Sequence, residues 1–210
     1  MKVGVIGEGP TEYRCVPSLV ARLNHRVVGV HDLGGIGGSF PWDKAILLRV
    51  YPYVRSFAVR GSPSRPDKVI VVVDREDRPE CCGALAGRGC DLIRAELAKE
   101  GLEISTSIVL ANRQFECWLF AQPELLDGSP IFKVRISSLI NSETDEKNIL
   151  SMVNASLKQG RKWDKPGYGK ALAQRLELTN PAVLGRSRSL RKFVKELQAD
   201  PCEQHSELAV

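Results

Sequence analysis

The run Val69-Ile70-Val71-Val72-Val73, closed by Asp74, is β-branched at every position and carries no polar residue before its end. A strand with one wet face alternates apolar and polar residues. An unbroken apolar run is instead buried on both faces, which requires a parallel sheet covered by helices. Working outward, Val3 to Ile6 is a second short apolar run, ended by Gly7-Glu8-Gly9-Pro10, and reads as a strand and a tight turn. Val16, Leu19, Val20 and Leu23 recur at helical spacing, and Val27 to Val30 reads as another strand. Gly34 to Ser39 reads as a mobile loop with no side chains to hold it. Lys44 to Val59 looks helical apart from Pro52, and Ser62 to Pro66 is a Pro/Ser linker. Leu85 to Lys99 (helix), Leu102 to Ala111 (strand) and Phe115 to Ala121 (short helix) complete the alternation. Residues 1–122 are therefore predicted to form an α/β core, an open, mostly parallel sheet flanked by helices. After Pro123 the strands stop. Ser142 to Leu157, Gly169 to Leu176 and Leu190 to Ala199 read as helices, so residues 123–210 form a mostly helical, basic C-terminal lobe packed on the core.

A chain of 210 residues, 43% of them hydrophobic, buries a core without disulfides or metals and is too apolar for a disordered segment. No apolar run reaches the roughly 18 residues of a membrane helix. Met1 to Ile6 lacks the apolar stretch and cleavage site of a signal peptide. Reduced thiols in a cytoplasm are the expectation for Cys15, Cys81, Cys82, Cys90, Cys117 and Cys202. Cys15 and Cys117 read as small core residues. Cys81-Cys82 with Cys90 lacks the Cys-x-x-Cys spacing that would support a zinc site.

Three acidic groups stand where the chain leaves a strand: Glu8 and Glu12 after the first, Asp74, Glu76 and Asp77 after the valine-rich one, and Glu116 just after the last. Open α/β sheets bind ligands outside the carboxyl ends of their strands, so these segments can converge. Packed carboxylates repel and raise one another's pKa, a conflict that a divalent cation removes. Oxygen ligands suit Mg²⁺ or Mn²⁺. Two readings stand for Glu12, metal work or capping: with Gly9 as N-cap and Pro10 at N1, its carboxylate reaches back to the Gly9 amide. Glu8 lies between two glycines, where no structural role is evident. Glu76 shares the face of Asp74 if the chain stays extended, and Asp77 reads as a turn or helix cap before Pro79. Glu116 is either at the edge of an amphipathic helix or aimed into a site. A dinucleotide fingerprint is excluded because Glu12 occupies its third glycine position, and the Gly34–Gly38 run lacks the Lys-Ser/Thr ending of a P-loop.

A strand followed by Glu8-Gly9-x-Thr11-Glu12, and another ending Asp74-x-Glu76, resembles the Toprim fold shared by topoisomerases, bacterial primases and the overcoming-lysogenization-defect nucleases. More narrowly, Glu8 to Tyr13, Glu116-x-Trp118-Leu119, Tyr168-x-Lys170 and Ser189-x-x-x-Phe193 resemble the Toprim-like domain-of-unknown-function family 4276. The resemblance covers most of the chain. It departs at Glu76, where Toprim has a second Asp, so either Glu76 or Asp77 takes that role. The resemblance implies a Mg²⁺- or Mn²⁺-dependent nuclease. Glu8 would be metal ligand or general base, and Asp74 with Glu76 or Asp77 would hold the metal. Glu116 would be a further ligand or its orienter, and Lys170 the cation stabilising transition-state charge. It also implies a bacterial anti-phage defence effector and an ABC- or AAA-type ATPase partner. The sequence leaves a homo-oligomer open.

Residues 158–195 hold eleven Lys and Arg against Asp164 and Glu177, a local charge of +9. The remainder carries −4 of the overall +5. Trp163 and Tyr168 are interleaved with the bases. Arg161, Lys162, Lys165, Tyr168, Arg186, Arg188, Arg191 and Lys192 are the candidate nucleic-acid contacts, by phosphate pairing and base stacking. Two other classes remain open. One is a non-catalytic interaction subunit of an ATPase complex that binds metal or nucleic acid. The other is phosphoryl transfer to a small molecule.

Overall fold

The computed structural model describes residues 1–36, 40–140, 143–145 and 148–199. The strands are β1 (Lys2–Gly7), β2 (Arg26–Asp32), β3 (Lys68–Asp74) and β4 (Ser105–Ala111). Around them lie α1 (Pro10–Arg22), α2 (Trp42–Ala45), α3 (Tyr51–Ala58), α4 (Cys82–Lys99), α5 (Glu116–Leu119), α6 (Ile149–Ala155), α7 (Lys165–Ala173), α8 (Pro181–Arg186) and α9 (Arg188–Gln198). The strands form one sheet in the order β2-β1-β3-β4, parallel throughout. This is the open α/β sheet flanked by helices that the valine run demands.

The run divides its side chains between two cores. Ile70 and Val72 face α1, α5 and α9, meeting Val16, Leu19, Trp118 and Phe193. Val69, Val71 and Val73 face α3 and α4, meeting Phe57, Leu85 and Ile93. Successive strand residues point to opposite faces, so a strand covered on both sides has no position left for a polar residue. The first of these cores also holds Ile136, Ile149, Leu172 and Leu190 from beyond Pro123.

Pro52 does not end its helix. The backbone widens into a π-helical turn over Ile46–Val50 before α3 begins, with Pro52 in the first turn of α3. Such a turn accommodates a residue that lacks an amide donor and whose ring crowds the preceding carbonyl. The expected helix over 142–157 is described from Ile149 to Ala155, while positions 141–142 and 146–147 lie outside the described residues. Among the described residues all five cysteines are free thiols, Cys15 and Cys117 fully buried, and Cys202 lies outside them. No described helix is long and apolar enough to cross a membrane.

Candidate metal centre at the carboxyl edge of the sheet

Parallel pairing brings the ends of β1, β3 and β4 level. Gly7 pairs with Val72 and Asp74 with Ala111. The chain then leaves β1 through Glu8, whose amide donates to the Val72 carbonyl at 3.1 Å. Gly7 is required here by close approach. A Cβ on it would fall 2.7 Å from Glu12 Cβ and 2.9 Å from the Tyr13 nitrogen. The absent side chain lets the first turn of α1, with Glu12, sit directly over the strand end.

Glu8 has a structural role that its sequence context conceals. Its Oε2 accepts the Asp74 amide at 2.7 Å and its Oε1 the Ile36 amide at 3.1 Å. Its own carbonyl accepts the Gly35 amide at 2.7 Å. The start of the glycine loop, expected to lack anything to hold it, is thus held by Glu8 and by the buried Ile36 side chain. Positions 37–39 lie outside the described residues.

Glu12 caps as its spacing allows, with Oε2 accepting the Gly9 amide at 3.0 Å. It is also buried, only 6% exposed. Its carboxyl is pushed up to about 7, first by burial and then by the charges of Glu116 and Glu8. Asp74 stands at the end of β3, and its Oδ1 accepts the Phe115 amide at 2.7 Å. Burial, followed by the charges of Glu12, Glu8 and Glu116, raises it well above the usual carboxylate range. Four carboxylates from three separate segments therefore share one field. Glu116, buried on α5, takes an ion pair from Lys165 Nζ at 3.0 Å.

Its place in the basic segment puts Lys165 among the expected nucleic-acid contacts. Its ion pair instead turns it toward the acidic group. It arrives on α7, which lies against α1 because residue 169 is glycine. A Cβ there would sit 3.1 Å from both Cys15 Sγ and Leu119 Cδ1. Lys170, on the same helix, is exposed, and its charge reaches Cys15. Neither the Lys165–Glu116 pair nor the Gly169 contact is announced by spacing, since each joins segments far apart in sequence.

Glu76 does not continue the extended chain. It adopts left-handed backbone, φ 53°, as does Arg113 at φ 67°, and the Glu76 amide donates to the Arg113 carbonyl at 3.2 Å. The strand therefore turns after Asp74, and alternation no longer assigns Glu76 to the Asp74 face. Glu76, Asp77 and Asp74 instead line a cavity of about 390 Å³ with Arg113, Gln114 and Asn148.

Behind Glu116, the Trp118 indole donates to Ser189 Oγ at 2.7 Å, and its ring meets Phe193 at 5.1 Å between centroids. Ser189 and Ser187 in turn bond the buried Asp145. Trp118, Ser189 and Phe193 are thus one buried prop that seats α9 against α5. Asp145, which organises it, carries no local signal in the sequence, because its partners lie more than 40 positions away.

The basic segment is segregated in sequence but much less so in space. Arg186 pairs with Glu124, Arg188 with Glu143 and Lys192 with Glu196, at 2.8, 2.8 and 2.5 Å. Tyr168 stacks on Trp163 at 5.0 Å, and Trp163 packs in turn on Phe120 and Phe132. Arg161, Lys162 and Arg191 are exposed and hold no ion pair among the described residues.

The fit of a cation rests on the donors at this edge. They are carboxylate oxygens gathered at one sheet edge, two of them buried (Glu12 and Glu116) and two partly exposed (Glu8 and Asp74), the donor set of a hard divalent ion. Among the described residues no group of three or more His, Cys, Asp or Glu already stands in metal-holding geometry. Mg²⁺ is commonly held by only one or two carboxylates and several waters.

No protein-family model matches the chain, and no curated protein matches it. Among solved structures it is similar to the C-terminal region of the Burkholderia pseudomallei OLD protein. The identity is 15% and the TM-score 0.48, over 94% of this chain and 98% of that one. It is also similar to the C-terminal region of the Xanthomonas campestris pv. campestris OLD protein, at 14% identity and TM-score 0.42, over 92% and 96% respectively.

Proposed function

We propose that this protein is a divalent-metal-dependent nuclease of Toprim type whose metal lies among Glu8, Glu12, Asp74 and Glu116. The observation that carries this reading is geometric: parallel pairing brings Glu8, Glu12, Asp74 and Glu116 to one edge of the sheet, with Glu12 and Glu116 buried and Glu8 bonded to the Asp74 amide; their mutual charges raise Glu12 and Asp74. Burying Glu12 and Glu116 beside the partly exposed Glu8 and Asp74 is costly unless something compensates, and one half-exposed lysine is little compensation. A bound Mg²⁺ or Mn²⁺ would supply that charge, lower the pKa of a bound water and stabilise the oxygens of a phosphodiester.

In this reading Asp74 is the principal ligand, because it ends β3 at the edge and lines the adjoining cavity. Glu8 orients Asp74 through the latch to its amide and contributes its remaining lone pairs. Glu116 and Glu12 complete the field, and Lys165 screens Glu116 until substrate arrives. Lys170 lies on the same helix and supplies positive charge toward the phosphate. Glu76 and Asp77 line the adjoining cavity and serve as water-mediated ligands. Arg161, Lys162 and Arg191 provide exposed phosphate contacts. The motif resemblance to the domain-of-unknown-function family 4276 favours a bacterial defence setting and an ATPase partner.

The test is cleavage of plasmid and single-stranded DNA and of RNA with Mn²⁺, for wild type and Asp74→Asn, alongside Mn²⁺-dependent thermal shift. Metal-dependent cleavage and a metal-dependent rise in Tm, both lost in Asp74→Asn, support the reading. Nucleic-acid binding with neither cleavage nor metal stabilisation overturns it in favour of a non-catalytic interaction subunit.

A further inference from the structure

Tyr13 is 43% exposed, and no other aromatic side chain among the described residues is exposed. The other tyrosines all have partners. Tyr51 bonds Glu100, Tyr53 meets the His31 ring and Tyr168 stacks on Trp163. The Tyr13 side chain has neither a hydrogen bond nor a ring contact among the described residues.

The close approach at Gly7 sets its place. A Cβ on Gly7 would fall 2.9 Å from the Tyr13 nitrogen, so Tyr13 stands over the end of β1 with the first turn of α1. Side chains on a helix lean toward its N-terminus. On α1 that direction is the carboxyl edge of the sheet, where Glu8, Glu12 and Asp74 gather. The ring therefore leans toward the acidic group while its surface stays open to water.

Two cations stand nearby. Arg14 is the next residue, and Lys170 lies on α7, which packs along α1. Both are exposed, and neither holds an ion pair among the described residues. The charges of both act on the Cys15 thiol, which places them at the same end of α1. An open aromatic ring beside unpaired cations is how proteins hold unpaired nucleic-acid strands, with cations on the phosphates and the ring on a base face. In a duplex the neighbouring bases already cover those faces. Tyr168, expected from the sequence to stack on bases, already stacks on Trp163, and Tyr13 is the ring open for that role.

We propose that Tyr13 stacks on an unpaired base of the substrate strand, with Arg14 and Lys170 on adjoining phosphates, and so makes the site selective for single-stranded over duplex nucleic acid. This rests on the reading of the acidic group as a nuclease centre and names the form of substrate it takes.

Fluorescence anisotropy in EDTA reads binding while any metal-dependent cleavage is silent. The probes are oligodeoxythymidylate, oligouridylate, the abasic counterpart of the first and its duplex with oligodeoxyadenylate. Tyr13→Ala and Tyr13→Leu should each weaken the tighter-binding of the two strands by about tenfold, and Tyr13→Phe should stay within about twofold of wild type, because the ring and not the hydroxyl makes the contact. Affinity for the duplex and the abasic strand should not change. With Mn²⁺, the loss of kcat/KM in Tyr13→Ala should sit in KM, as for a contact made equally in ground and transition states. Wild-type affinity in Tyr13→Ala or Tyr13→Leu overturns the proposal. So does an equal loss on the abasic strand, or a wild type that binds neither strand. Failure of the nuclease reading looks different: wild type then cleaves nothing with Mn²⁺. With the ring effect intact, that result overturns the nuclease reading alone and leaves Tyr13 a strand-binding residue.

Discussion

Glu8 Oε2 accepts the backbone amide of Asp74 at 2.7 Å, so the acid after one strand holds the acid that ends its neighbour. The two residues therefore differ in what an isosteric amide would do. Glu8→Gln turns one of two amide-accepting oxygens into a donor facing another donor, at either Asp74 or Ile36. It should cost about 1–3 kcal/mol in urea unfolding as well as activity. Asp74→Asn keeps the acceptor that the Phe115 amide uses and removes a charge that its surroundings disfavour. It should leave stability unchanged or improved above pH 7 while removing metal-dependent cleavage. Loss of stability in Asp74→Asn equal to that in Glu8→Gln would contradict this division of roles.

Stability of the metal-free protein should peak in mild acid. Glu12 is raised from 4.5 to about 7 by burial and then by its acidic neighbours. Its folded form gains relative stability as pH falls from about 7 to about 4.5, by roughly 3 kcal/mol for a full separation of these values. Asp74 acts in the same direction. Glu196 opposes them below that. Burial tends to raise it, but hydrogen bonds from Lys192 and Ser107 and the charges of Lys192 and Lys68 bring it down to about 2. Its contribution is complete above about 4.5 and is lost as pH falls toward about 2. His25 and His31, lowered first by burial, lose folded stability as pH falls below about 6.5 and oppose the gain. Melting curves from pH 8 to pH 2.5 should pass through a maximum between about pH 4.5 and 7. Saturating Mn²⁺ should flatten the alkaline limb, because the ion stabilises the ionised acids. A Tm that falls steadily from pH 8 to pH 5 without metal would contradict the acidic field.

Gly7 and Gly169, both on the elements that carry the acidic group and its lysine, give a steric test. At Gly7 an added methyl would meet Glu12 Cβ and the Tyr13 backbone well inside contact distance, so Gly7→Ala must shift α1. At Gly169 the obstacles are the Cys15 and Leu119 side chains, which can yield by tenths of an ångström. Gly7→Ala should cost about 1–3 kcal/mol and move Glu12, reducing cleavage by about tenfold or more. Gly169→Ala should have the smaller effect on both. The reverse order, measured by urea unfolding and Mn²⁺-dependent cleavage, would count against the placement of α1.

Cations of the basic segment should separate by partner. Arg186 is held by Glu124 and by the Ala121 carbonyl, so Arg186→Ala should lower Tm and leave the salt dependence of DNA binding intact. Arg161, Lys162 and Arg191 are exposed and hold no ion pair among the described residues. Replacing each by Ala should leave Tm unchanged and reduce the salt slope of binding by about one for each phosphate that is no longer neutralised. Binding isotherms across a salt series check both halves.

The valine run by itself determined the sheet. A strand with no polar position can sit only between two layers of helix, and Ile70 and Val72 against Val69, Val71 and Val73 divide between those layers as alternation requires. The Gly9-Pro10-Thr11-Glu12 cap was equally legible, because its partners lie within one turn. Tertiary structure decided the rest, because the deciding contacts are long-range. The latch from Glu8 to Asp74 spans 66 positions and the prop from Trp118 to Ser189 spans 71. No local pattern encodes them. The turn after Asp74 depends on an Arg113 carbonyl that follows another strand, which removed Glu76 from the face that extension would have given it. The charge division followed the same logic. A +9 segment beside a −4 remainder describes order along the chain, whereas Coulomb energy depends on distance in space. Folding places Glu116, Glu124, Glu143 and Glu196 against the segment's own cations and leaves a smaller basic surface than the sequence displays.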